Sequence, residues 1–173
     1  MLISTNHTFD SLWVNYDYDW HIQKGLALPQ HLQEILWAQI ILNEYGIWLK
    51  SFYIPHQSPK NYRQIDYEDD QNHFHISDGV MNQQMILLFW ITMSYELAMK
   101  FYKKWLKDIR IWFSFQTREM SKAWAVSHWI YDENDFYDTN DRISFYLKRP
   151  ENMTITDEDI NLIKDTALLI IDL

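Results

Sequence analysis

The 173-residue sequence has no cysteine, only three glycines and only four prolines. Without cysteine, disulfide bonds, thiolate metal sites and a cysteine nucleophile are excluded. The glycines stand at positions 25, 46 and 79, so the sequence contains no GxGxxG loop, Walker loop or GxSxG elbow. HExxH and Glu-x-Lys are also missing, which argues against zinc proteases of that type and against restriction-type nucleases. Because no motif names a reaction, we expect a protein that is not an enzyme and has no cofactor.

A long apolar run is also missing. The longest extends from Met85 to Met93 and has nine residues, whereas a membrane-spanning helix needs about 20. The N-terminal residues MLISTNH have neither the basic region nor the apolar stretch of a signal peptide. These absences predict a soluble, cytoplasmic protein without a membrane partner.

The charge of the chain is mainly negative and unevenly distributed. The net charge of −9 argues against direct nucleic-acid binding, because such proteins neutralise phosphates with lysine and arginine. Residues 1–79 have ten acids and four bases, residues 80–131 have three acids and seven bases, and residues 132–173 have eleven acids and four bases. A basic middle therefore separates two acidic flanks, and we expect surface patches of each sign.

Two long helices are predicted in the first two thirds of a single domain, residues 1–173. The aromatic content of 17% supplies large side chains for a core. The first helix begins at Pro29 and continues to about Tyr53, with apolar residues at three- or four-residue intervals. The second extends from about Val80 to Ile109, and its MILLFWITM stretch is apolar all round, which indicates a buried helix.

The remaining third of the chain predicts strands and a closing helix. Residues 110–117, 123–131 and 142–148 are rich in β-branched and aromatic residues, which indicates an antiparallel β-meander over about residues 110–148. Thr156 and Asp159 resemble a capping box before INLIKDTALLII, which predicts a C-terminal helix. The fold class expected is α+β, with two long N-terminal and central helices, a small β-meander and a C-terminal helix.

Three segments mix acidic with aromatic residues: NYDYDW (15–20), DYEDDQN (66–72) and YDENDFYDTND (131–141). The third does not fit an EF-hand calcium loop, because Phe136 and Tyr137 stand where an oxygen ligand and a glycine are required. Solvated loops are the simpler interpretation. Tyrosine beside carboxylates is also typical of contact surfaces, because the ring gives rigid contact area and the carboxylates pair with lysine or arginine. The candidate partner-binding residues are Asp17, Asp19, Trp20, Tyr67, Glu68, Asp69, Asp70, Asp132, Glu133, Asp135, Tyr137 and Asp138.

Two further patterns have both a functional and a simpler structural interpretation. His73 and His75 would share one face of a strand, with Asp69, Asp70 and Asp78 near them in sequence. Two imidazoles and a carboxylate can bind zinc or iron, although two ordinary histidines are the simpler interpretation. The second helix also has a lysine stripe, which is either a solvated face or a contact for phosphates or an acidic partner. Its members are Lys100, Lys103, Lys104 and Lys107.

The hypothesis we favour is an acidic protein-binding inhibitor. The composition of the chain is like that of bacterial immunity proteins, which neutralise a basic cognate toxin, such as a nuclease, by occluding its active site. It is also like that of phage-encoded nuclease inhibitors. A field of carboxylates would speed the encounter with a cationic protein. The alternatives are a metal-dependent enzyme that uses His73 and His75, and a structural subunit that oligomerises through its aromatic surface.

Overall fold

Helices and antiparallel strands are combined in the chain, which confirms the predicted α+β class. A computed structural model describes residues 1–13, 27–49, 68–69, 71–76, 83–127, 140–150 and 156–173. The elements within these ranges are β1 (Leu2–Thr5), α1 (His7–Trp13), α2 (Gln30–Trp37), β2 (Ile40–Asn43), β3 (Gly46–Leu49), α3 (Gln83–Lys103), β4 (Ile109–Gln116), α4 (Arg118–Ser127), β5 (Asn140–Leu147), α5 (Asp157–Asn161) and β6 (Ala167–Asp172). The single-domain organisation stays a prediction.

The main sheet has four strands in the order β1–β6–β4–β5, and every neighbouring pair is antiparallel. Strand β4 pairs with β5 along its whole length, from Ile109 opposite Leu147 to Gln116 opposite Asn140. Strand β6, although last in sequence, lies between β1 and β4. The edge strands of this sheet are therefore β1 and β5. Strands β2 and β3 form a separate two-stranded hairpin.

The main core lies between helix α3 and one face of this sheet. On β4, Ile111, Phe113 and Phe115 are fully buried, at the two-residue spacing that brings side chains to one face of a strand. The Trp90 ring of α3 meets the Phe113 ring edge to face, with 5.3 Å between centroids. Residues 86–91 of α3 are all buried, as the MILLFWITM stretch predicted. Each such large side chain stabilises the fold by about 1.5–3 kcal/mol.

The predicted C-terminal helix is wrong, because its apolar stretch forms strand β6. On the second face of the sheet, Leu168 and Ile170 of β6 pack with Ile160 and Trp112 in a smaller cluster. Strand β6 is thus buried on both faces, and such strands lack the apolar–polar alternation that distinguishes a strand from a helix. Helix α5 has only five residues, and its predicted capping box, Thr156 with Asp159, is confirmed.

The first predicted long helix is wrong beyond Trp37, where α2 ends and the β2–β3 hairpin follows. Gly46 turns this hairpin with φ +148°, a value that favours glycine. The side-chain oxygen of Asn43 accepts hydrogen bonds from the backbone N–H groups of Tyr45 and Gly46 and from Trp48 Nε1. The second predicted helix is confirmed over Gln83–Lys103.

The predicted β-meander is right in its outer strands and wrong in its middle one. Residues 110–117 and 142–148 correspond to β4 and β5, but α4 occupies 118–127 and residues 128–131 lie outside the described part of the chain. Thr117 explains the change, because its hydroxyl accepts from Met120 N at 3.3 Å and its carbonyl from Ser121 N at 2.9 Å. A threonine in this position ends the strand and caps a helix.

Candidate functional site

Strand β5 is covered on its outer edge by residues 71–76. Phe74 and Ile143 exchange two backbone hydrogen bonds, of 2.9 and 3.0 Å. The Asn72 side chain donates to the carbonyl oxygens of Ile47, at 2.6 Å, and Phe145, at 3.2 Å. Unpaired strand edges invite pairing with other chains, and this cover satisfies part of the edge. Part of the second acidic segment is therefore fixed against the sheet.

Glu68 of the second acidic segment is fully buried. One carboxylate oxygen accepts from the backbone N–H groups of Ile47, at 2.7 Å, and Leu147, at 3.1 Å; the other accepts from Arg149 Nη2 at 2.7 Å. Burial raises the pKa of the Glu68 carboxyl above its ordinary value, and these hydrogen bonds and the Arg149 charge oppose the rise. Glu68 thus joins the β2–β3 hairpin to the end of β5.

Asp69 points to the second face of the sheet and binds two side chains of β5. Its Oδ2 accepts from Arg142 Nη2 at 2.8 Å, and its Oδ1 accepts from the Ser144 hydroxyl at 2.5 Å. Arg142 also donates to the Asp69 carbonyl oxygen at 3.1 Å. Both partners of the ion pair are about one-third exposed, so the pair contributes at most about 1 kcal/mol to stability. Its larger consequence is to fix the position of the second acidic segment.

Asp141, the last residue of the third acidic segment, contacts residues just beyond the second. Its carboxylate accepts from Ile76 N at 2.5 Å, and its carbonyl oxygen is hydrogen-bonded to His75 Nδ1. Because a carbonyl oxygen can only accept, the His75 Nδ1 carries the proton in this bond. Asp141 is almost fully buried. The described ends of two tyrosine- and acid-rich segments therefore meet at strand β5, which their composition alone did not reveal.

The structure describes only two of the candidate partner-binding residues, Glu68 and Asp69. The others lie outside the described residues: Asp17, Asp19, Trp20, Tyr67, Asp70, Asp132, Glu133, Asp135, Tyr137 and Asp138. The carboxylate of Glu68 is used inside the chain, and that of Asp69 is paired with Arg142. The assignment of these twelve residues to partner binding stays a prediction.

Sequence reasoning missed the residues that anchor the acidic segments: Arg142, Ser144 and Arg149. Arg142 follows Asp141 directly and Arg149 follows Lys148, so both bases were counted only as parts of the charge total. Their pairing with Asp69 and Glu68 joins positions more than seventy residues apart. Local sequence pattern carries no signal for pairs this far apart.

The two histidines of the metal-site candidate lie side by side. The centroids of the His73 and His75 rings are 5.5 Å apart and the ring planes are nearly perpendicular. Of the carboxylates named with them, Asp69 is bound to Arg142 and Ser144, while Asp70 and Asp78 lie outside the described residues. Within the described ranges, no group of three or more histidine and carboxylate side chains could hold a metal ion.

A second polar cluster crosses the same face of the sheet nearby. Arg110 is 1% exposed and forms two 2.7 Å hydrogen bonds with the Asp172 carboxylate, while Lys148 Nζ lies 3.8 Å from Asp172. In the strand register, Arg110 stands between Asp172 of β6 and Tyr146 of β5. Burial raises the pKa of Tyr146 to about 12, although Arg110 beside it acts in the opposite direction. Each charge has a partner, so the cluster is a structural ion network.

Comparisons with known proteins give no family for this chain. None of its described helices is both long enough and apolar enough to cross a membrane. No protein-family model, no curated protein and no solved structure matches the sequence or the fold.

Proposed function

We propose that the chain is an acidic binding protein that inhibits a basic partner, in the way that a bacterial immunity protein neutralises its cognate toxin. The junction at β5 carries the proposal. There, Asp69 of the second acidic segment pairs with Arg142, the residue that follows the third segment, and the Asp141 carbonyl of the third segment is hydrogen-bonded to His75, three residues after the second. A specific contact surface needs several segments side by side, with aromatic residues among the polar ones.

The two bases at this junction neutralise only two of its carboxylates. Arg142 is paired with Asp69, and Arg149 with Glu68. Residues 66–72 and 131–141 together contain nine acids and no base. The carboxylates in excess of these two pairs give a negative potential, which speeds the encounter with a cationic protein and disfavours anionic ones.

A nuclease-type toxin is the partner that this chemistry fits best. Proteins that grip nucleic acid present lysine and arginine to the phosphates, and carboxylates can occupy the same positions. In this proposal Glu68 holds the segment from inside the fold, while Asp70, Asp135 and Asp138 make the contacts. Tyr67 and Tyr137 supply the aromatic area that slows dissociation.

The test is binding to the protein encoded by the neighbouring gene, with Asp135→Lys/Asp138→Lys compared with the unaltered chain. Association kinetics should show at least a tenfold slower on-rate at low salt, with a smaller difference at high salt, since salt screens charge steering. The control is Glu44→Lys/Glu96→Lys, which changes net charge equally at two exposed sites. Failure of the neighbouring protein to bind, or equal rates for both variants, would exclude this surface.

A metal-dependent enzyme is the second candidate, and the adjacent rings of His73 and His75 favour it. Metal analysis of protein purified without an affinity tag would separate the two candidates. Stoichiometric zinc, manganese or iron that disappears in His73→Ala would support the enzyme. Metal-free protein that still binds its neighbour would support the inhibitor.

A further inference from the structure

Strand β1 is the open edge of the main sheet. The other edge strand, β5, is covered where Phe74 pairs with Ile143, whereas among the described residues β1 pairs on one side only, with β6. Natural sheets commonly protect an edge with a charged residue, a proline or a bulge. The β1 sequence, LIST, has no charge and no proline, and its register with β6 is continuous from Leu2 to Thr5. The edge of β1 therefore lacks these protections against pairing with another strand.

The hydrogen-bond pattern shows which backbone groups of β1 point to the open edge. Residues of an antiparallel strand direct their N–H and C=O groups alternately to one side and to the other. Asn6 N, just after β1, donates to Leu168 O of β6 at 3.3 Å, so the even-numbered residues of β1 face β6. On the far side of β6, Leu173 N donates to Ile109 O at 2.9 Å, and the same alternation directs the even-numbered residues of β6 toward β1. The residues of β1 whose N–H and C=O groups point outward are therefore Ile3 and Thr5.

A groove runs beside this edge and leaves space for a further strand. Its volume is about 610 Å³, and all four residues of β1 line it, together with residues from α1 and from around α5. The apolar side chains of Leu2 and Ile3 are 64% and 52% exposed, although they belong to the main sheet. A strand laid along β1 would cover both side chains and satisfy the outward backbone groups, which is the way that an exposed sheet edge binds an extended segment.

We infer that β1 pairs with β1 of a second copy of this chain, antiparallel and about a two-fold axis through Ser4. In this register Ile3 of each copy stands opposite Thr5 of the other, and each such pair exchanges both of its N–H···O bonds. Ser4 stands opposite Ser4 of the second copy, where two small side chains meet. The register thus uses both outward-facing residues of each copy and joins two four-stranded sheets into one continuous sheet.

Self-complementarity and charge together favour a second copy as the occupant. Copies of a chain with net charge −9 repel each other over most of their surface. Residues 1–5 contain no charged side chain, so β1 is a place where two copies can meet without burying a charge. A basic partner would gain more at the acidic segments, where carboxylates can pair with it. The two-fold contact uses the open edge of both copies, so association ends at a dimer.

Cysteine cross-linking tests the register, because the chain has no cysteine of its own. Opposed residues whose backbone groups face away from each other have Cα atoms about 4.5 Å apart, within the reach of a disulfide. Ser4→Cys should therefore form a disulfide-linked dimer under mild oxidation. Leu2→Cys is the matched control, since it lies on the same face and is more exposed, but its counterpart in the dimer is about 13 Å away along the strands. Equal cross-linking of the two variants would overturn the inference.

Sedimentation equilibrium tests the contact without a cross-link. The average mass should rise with concentration from 21.2 kDa to twice that value and no further. High salt should strengthen the dimer, because salt screens the repulsion between the two negative chains. Ile3→Pro removes an N–H group that points outward and leaves the pairing with β6 intact. The dimer loses this bond twice, so its dissociation constant should rise about tenfold or more. Ile3→Val keeps the N–H group and should dimerise as the parent chain does.

A second variant separates loss of the contact from loss of the fold. Ile3→Lys keeps the backbone donor and places a charge on the edge, which is a natural protection against pairing, so it should also be monomeric. Circular dichroism should show both variants to be folded. A parent chain that is monomeric at every concentration, or a folded Ile3→Pro that dimerises fully, would overturn the inference. So would a monomer whose Ile3 and Thr5 amides become protected from hydrogen exchange only when the protein of the neighbouring gene is added, since that protein would then be the occupant.

Discussion

The carboxylate of Glu68 fills the space beside Gly46 that a side chain would need. A Cβ on Gly46 would lie 2.5 Å from the Glu68 carboxyl carbon and 2.6 and 2.8 Å from its oxygens. The carboxylate can move away only by giving up Ile47, Leu147 and Arg149. One glycine and one buried acid therefore hold the hairpin, the second acidic segment and the end of β5 together.

Gly46→Ala should destabilise the fold by about 2–4 kcal/mol, from close packing against Glu68 and from positive φ. Urea unfolding measures the change. In a Glu68→Ala background the close contact disappears, and the same substitution should cost only about 1–2 kcal/mol, the strain of the backbone. If Gly46→Ala changes the unfolding free energy of the parent chain by less than about 0.5 kcal/mol, the Glu68 carboxylate is not held against Gly46.

Glu68 also gives the fold a specific pH dependence. Its raised pKa means that the folded chain keeps this proton more strongly than the unfolded chain, whose ordinary value is 4.5. The associated stability is fully present below pH 4.5 and is lost as pH rises through the folded-state pKa. The unfolding free energy of the parent chain minus that of Glu68→Gln should therefore fall as pH rises above 4.5. An increase would mean that the Arg149 charge outweighs burial.

The sequence predicted best where one periodicity dominates over many residues. Helix α3 keeps a helical apolar pattern for more than five turns, and β4 alternates between buried and half-buried residues from Ile111 to Gln116, so each pattern had one interpretation. In β6 both faces are buried, and ALLIID fits a helix and a strand equally. Its place between β1 and β4 depends on partners more than fifty residues away in sequence, which local pattern cannot supply.

The candidate site was predictable in composition but not in geometry. Tyrosines among acids marked residues 66–72 and 131–141 as related segments. The approach of their described ends to each other at β5 depends on long-range ion pairs, such as that of Asp69 with Arg142, and on the backbone bridge of Phe74 to Ile143. Because the same composition fits solvated loops and contact surfaces, only binding measurements decide between them.

Tyr146 should reduce stability at alkaline pH. Burial raises its pKa from 10.0 to about 12, so between these values the unfolded chain releases a proton that the folded chain keeps. The stability associated with the neutral phenol is present below pH 10.0 and lost as pH rises toward about 12. Between neutral pH and pH about 12, the unfolding free energy of the parent chain should fall by roughly 2 kcal/mol more than that of Tyr146→Phe. Parallel curves for the two chains would contradict the buried, neutral phenol.

The Arg110–Asp172 pair should be asymmetric when its members are removed singly. Asp172→Leu leaves a guanidinium that is 1% exposed without its bidentate carboxylate, and should cost about 3–5 kcal/mol in unfolding free energy. Arg110→Met leaves Asp172, which is 16% exposed and 3.8 Å from Lys148, and should cost less because solvent and a second cation remain.

The double variant Arg110→Met/Asp172→Leu completes this cycle. Replacing both charges by apolar side chains of similar size removes their desolvation penalty together with their attraction. The double variant should therefore be more stable than Asp172→Leu by at least about 2 kcal/mol in urea unfolding. If the effects of the single substitutions simply add, the two side chains do not interact as the 2.7 Å contacts require. Subtracting the costs of the two single variants from the cost of the double variant gives the interaction energy of the pair. Arg110 and Asp172 stand directly opposite each other on β4 and β6.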